Sequence, residues 1–119
     1  MSSMVTQNLG NLRIVTGNIV YTTGVPALTC NDGSATIADT GTGIATVTFA
    51  QAFTSAPAVV CQVRKGTEAA TFNNLMVVDS VSATVLVLRF KADSAGTNST
   101  ADPADTDGGW FIAIGTSNQ

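Results

Sequence analysis

Four aspartates in one stretch are the densest group of potentially reactive side chains in the sequence. Asp93 opens "ADSAGTNSTADPADTDGG" (residues 92–109), and Asp102, Asp105 and Asp107 lie toward its end. Hard cations take several oxygen ligands, and closely spaced carboxylates in a loop can supply them. The spacing D-x-x-D-x-D is not that of an EF-hand, and no glutamate closes it. The plainer reading is a solvated polar loop. No metal is assigned, and Asp102, Asp105 and Asp107 stand as the candidates should one bind. Paired carboxylates also serve glycoside hydrolysis, but nothing around these would raise a carboxyl pKa. Trp110 could stack on a sugar; its plainer role is a strand-end aromatic that fills a core or an interface. The two cysteines, Cys30 and Cys61, read as free thiols, because a chain made in a reducing compartment rarely keeps a disulfide. A bridge would need their Cα atoms within about 7 Å. The sequence contains no histidine, which removes most zinc sites and most nucleophile–base pairs. No catalytic residue and no cofactor are expected, and the chain does not read as an enzyme.

The elements that would carry these residues are strands. Thr, Val, Ala, Ser and Gly dominate, and short alternating runs recur between turn signals, the pattern of an all-β sandwich or barrel. "NLRIVTGNIVY" (11–21) reads as a first strand, with Gly17 a bulge or a close-packing point. "TTGVPALTCNDGS" (22–34) reads as a connection with a tight turn at Asn31-Asp32-Gly33. "ATIAD" and "IATVTFA" flank Thr40-Gly41-Thr42-Gly43 and form a hairpin whose glycines supply positive φ. "AVVCQVR", "TFNNLMVVDSV", "TVLVLRF" and "WFIAIG" complete an antiparallel β-sandwich of about seven strands. Residues 1–11 read as an N-terminal arm and 12–119 as one domain.

Side-chain alternation predicts the faces. In "GIATVTFAQAF", Ala45, Val47 and Phe49 share the core side, Thr46 and Thr48 look outward, and Phe53 folds back onto the same core. In "TVLVLRF", Leu86, Leu88 and Phe90 point one way, and Val85, Val87 and Arg89 the other. In "WFIAIG", Phe111 and Ala113 oppose Trp110, Ile112 and Ile114. A strand with one wet face should alternate cleanly between apolar and polar. These do not, so Val85, Val87, Trp110, Ile112 and Ile114 are expected under a neighbouring subunit.

Composition points the same way. Only 11% of residues are charged, against about 25% in a typical soluble domain, which implies that part of the surface is covered. Five basic residues and a net charge of -3 give no footprint for nucleic acid. No apolar run approaches the roughly 20 residues of a membrane helix, so no membrane partner is expected. "MSSMVTQNLGNLR" carries no charged and apolar signal regions, and synthesis in the cytoplasm is expected.

Several segments together resemble a β-sandwich module of phage virion proteins: "GNIVYTTG", "TGTGIATVTFAQAFTSAPAVV" and the terminal "GWFIAIG". The residues that carry the resemblance are Gly41, Gly43, Val47, Phe49, Phe53, Pro57, Val59, Trp110, Phe111 and Gly115. Similar patterns occur in tail-fibre tips and in trimeric H-type lectins. Ala45 stands where that pattern usually has a tyrosine. The resemblance implies a jelly-roll or H-type lectin-like sandwich in a virion, assembled as a homo-oligomer and most simply a trimer. With no shaft, heptads or collagen-like repeat, the module suits a decoration (cement) protein on the capsid surface, partnered by the major capsid protein. A fibre-tip or lectin-like module that recognises a host glycan is the alternative.

Overall fold

The computed structural model describes residues 11–64, 73–94, 97–103 and 107–117. Among them are nine strands and no helix. In chain order these are β1 (Leu12–Thr22), β2 (Val25–Cys30), β3 (Thr36–Gly41), β4 (Ile44–Thr48), β5 (Ala58–Arg64), β6 (Asn73–Val81), β7 (Val85–Ser94), β8 (Thr97–Thr100) and β9 (Gly108–Thr116). One sheet runs β2-β1-β9-β5. The other runs β3-β4-β7-β6, with β8 paired to the far end of β7. Every pairing is antiparallel.

The sheets stack as a sandwich because each strand buries alternate side chains. Val15, Ile19 and Tyr21 of β1 and Phe111 and Ala113 of β9 meet Ala45 and Val47 of β4 and Leu86, Leu88 and Phe90 of β7. Tyr21 meets Phe90 edge to face, with ring centroids 5.3 Å apart. Phe49 and Phe53 form a second such pair at 5.1 Å. The chain after β4 is stitched to both sheets: the N–H groups of Phe49 and Phe53 donate to Thr84 and Ala83, and that of Thr54 donates to Thr116. The stretch from Gly43 to Phe53 thus closes one end of the sandwich and carries the chain across to β5.

Two strands are additional to the seven expected. β2 occupies the segment read as a connection. Its hairpin to β1 turns at Thr23 and Gly24, both at positive φ (53° and 77°), the left-handed pair of a type I′ turn. Pro26 is tolerated because β2 is an edge strand. It lies opposite Tyr21, whose N–H points the other way, to the Asp107 carbonyl at 2.8 Å. β8, only four residues long, lies inside the stretch read as a polar loop.

At the β3–β4 turn, Gly43 has positive φ (71°), whereas Gly41 stays in β3 beside a register irregularity. Gly17 pairs in register on both sides, with Cys30 and Phe111, so it is a close-packing point and not a bulge. A Cβ there would clash with the edge of the Phe111 ring. Residues 1–10 of the expected arm lie outside the described residues. Asn11 is tied to the C-terminal end, its carbonyl accepting the Ser117 N–H at 3.0 Å.

Candidate interaction face

Among the described residues, Asp102 and Asp107 are not gathered into a metal-binding group. Asp102 turns inward, and its Oδ1 accepts the Gly43 N–H at 2.6 Å, clamping the β3–β4 turn. Asp107 is 2% exposed, so the solvated-loop expectation fails there. The chain before it is drawn onto the sandwich when the Ala101 N–H donates to Phe90. Asp105 lies outside the described residues, and Asp93 sits in β7 with its backbone opposite Asn98. Among the described residues, no three His, Cys, Asp or Glu side chains come together as a metal site.

The remaining titratable groups near the core are held in unreactive forms. Tyr21 is fully buried, and among the described residues its hydroxyl has no hydrogen-bond partner. Burial, reinforced by the charges of Asp102 and Asp39, pushes its pKa well above the ordinary value. Burial also raises both thiols. Cys30, Gly17, Phe111 and Cys61 form one transverse row, each directly opposite the next. At about 4.8 Å per strand step, the two cysteines stand roughly 14 Å apart, so a bridge between them is excluded.

The expected interface residues divide between the two outer faces. Val85 and Val87 lie on the five-stranded sheet, half-buried and paired across to Thr48 and Thr46 of β4, with Ser80 of β6 also opposite Val87. Nearby, Arg89 binds Asp79, Nε to Oδ1 at 3.1 Å, and the hydrogen bond from Arg89 lowers the Asp79 pKa. That face is hydroxyl-rich and carries an ion pair.

The outer face of the four-stranded sheet is different. Trp110, Ile112 and Ile114 project from β9 there, with Leu12 and Ile14 from β1 and Val60 from β5. All six are exposed, by 42–46% of their surface for five of them and 69% for Val60. They form rows across the strands: Ile14, Ile114 and Ala58, then Thr16, Ile112 and Val60, then Asn18, Trp110 and Gln62. Ile112 is at the centre. No charged side chain lies in these rows. Arg64 closes one end, with its guanidinium 5.1 Å from the Trp110 ring centre, donating to Asn18 Oδ1 and the Ile19 carbonyl. A shallow depression of about 100 Å³ opens beside Val60, Gln62, Trp110 and Ile112.

Leu12, Ile14 and Val60 are the residues that sequence reasoning missed. Leu12 and Ile14 alternate with Arg13 and Val15, a signal present in "NLRIV". Val60 was obscured because Val59 beside it is apolar too. The geometry defines an all-β sandwich with one largely apolar outer face that Arg64 borders. A search with the chain finds no matching family model, no matching curated protein and no matching solved structure.

Proposed function

We propose that this protein is a structural component of a phage virion, a decoration protein that binds the assembled capsid as a homo-oligomer and stabilises it. The observation that carries the reading is the largely apolar face centred on Ile112. Six large apolar side chains stand out on it together, and contiguous exposed apolar patches of this kind mark interaction sites. The virion context comes from the sequence resemblance. The mechanism is mechanical. Apolar burial at about 25 cal/mol per Å² drives association, and a protein that binds only the assembled shell stabilises that shell by mass action. Charge is scarce in the chain as a whole, at 11% of residues, so binding should depend weakly on salt. The test is to add purified protein to capsids stripped of it and measure the temperature of DNA release. A higher release temperature than in stripped capsids is expected; equal temperatures would refute the reading.

A second reading, glycan recognition, rests on Trp110, which is 44% exposed and flanked in its row by the amides of Asn18 and Gln62. Glycan-dependent binding to host cells, lost in Trp110→Ala, together with no effect on capsids, would favour it.

A further inference from the structure

We infer that the face centred on Ile112 is occupied by the same face of a second copy of this chain, sheet on sheet, about a two-fold axis. This rests on reading that face as an assembly surface and adds who covers it and with what symmetry. Three observations lead there. The first is chemistry. The rows from Ile14 to Trp110 offer mainly aliphatic and aromatic surface, with Thr16, Asn18 and Gln62 among them and the Arg64 guanidinium over Trp110 at one end, so the occupant must be mainly apolar over the same span. This face of the chain has that character, whereas the opposite outer face carries threonines and the Arg89–Asp79 pair.

The second is area. The six exposed side chains present on the order of 600 Å², at the top of the roughly 300–600 Å² range for the largest patch on a monomer. Two such patches brought together bury on the order of 1,200 Å², which clears the roughly 1,000 Å² expected of a specific interface. A three-fold ring would divide each patch between two neighbours and leave every contact near half that total. The third is uniqueness. A two-fold contact uses one patch against itself, and a ring needs two different complementary patches; the two outer faces here do not match each other. Stacked sheets lie about 10 Å apart, a distance that lets Ile112 and Val60 interdigitate with their copies.

The experiment is light scattering on the isolated protein across a concentration series. A mass of twice 12.1 kDa is expected. Ile112→Lys, with its fold checked by circular dichroism, should weaken the dimer on the order of 100-fold or more, as for a central interface residue. A second measurement does not depend on that variant. In a protein with Cys30→Ala and Cys61→Ala, Thr16→Cys should be joined to its own copy by a bis-maleimide whose arm spans two sheets stacked about 10 Å apart, a gap too wide for a direct disulfide, and Asp79→Cys on the other face should not. A monomer at all concentrations, a trimer mass, or a dimer that Ile112→Lys leaves unchanged would overturn the inference. The two readings fail separately. A monomer that still raises the DNA-release temperature of capsids refutes the two-fold contact and spares the decoration role; a dimer without effect on capsids does the reverse.

Discussion

Replacing Tyr21 by phenylalanine should make this protein more stable. The ring is fully buried and packs edge to face on Phe90, and Phe keeps that contact. The hydroxyl has no partner among the described residues. A buried polar group left unsatisfied costs about 1–3 kcal/mol. Removing the oxygen recovers part of this and leaves a small void, so a net gain of about 1 kcal/mol is expected. For a domain of this length that raises the melting temperature by about 3–5 °C. The same group gives a pH test. Its folded pKa lies above the ordinary value, so below about pH 10 both folded and unfolded chains hold the proton and the group has no pH dependence. Above that pH the unfolded chain releases its proton first, and stability falls as pH rises. Tyr21→Phe should remove this contribution to alkaline unfolding. The chain has a single tyrosine, so tyrosinate absorbance reports on it alone and should appear only with loss of structure. Calorimetry at pH 7 that shows Tyr21→Phe less stable than the parent would mean that the hydroxyl has a partner, and would refute the reasoning.

Other outcomes follow from the same geometry. Gly17→Ala places a Cβ against the Phe111 ring and should cost about 1–3 kcal/mol, read as a lower urea midpoint at unchanged slope. Asp102→Ala removes the acceptor of the Gly43 N–H and should cost about 1.5–3 kcal/mol, the range for a charged hydrogen bond; a melting temperature equal to the parent's would show the clamp to be idle. Cys30 and Cys61 should carry no disulfide, so intact mass should be the same with and without reductant. Both should react slowly with a thiol reagent near pH 8 and quickly in denaturant, because burial raises their pKa values.

The sandwich was legible because its strands obey a period of two. Leu86, Leu88 and Phe90, and Phe111 with Ala113, are buried as alternation demands, and Phe49 and Phe53 turn onto the same core. β2 was hidden by Pro26, which normally argues against a strand, and by a turn at Thr23, a β-branched residue at positive φ. Composition cannot reveal that a strand will lie at an edge, where proline costs little. β8 was hidden by polar residues, since a short outer strand needs ladder partners and not apolar side chains. The apolar outer face was half legible. Alternation told that Trp110, Ile112 and Ile114 oppose the core, and told the same of Val85 and Val87. Only the topology shows that these two groups leave the molecule in opposite directions, and that threonines shield the valines.

Pro26 in the edge strand has a consequence for how large an assembly can grow. Opposite Tyr21 it occupies a position whose backbone nitrogen faces away from β1. On that outward side an ordinary residue would offer a donor to an incoming strand, and proline offers none. The free edge beside β1 is therefore a poor template for adding chains one after another into a continuous ribbon. Copies that meet through a broad face saturate once that face is covered. Copies joined only through that face would form an assembly of countable stoichiometry, with ribbon growth disfavoured at the β2 edge.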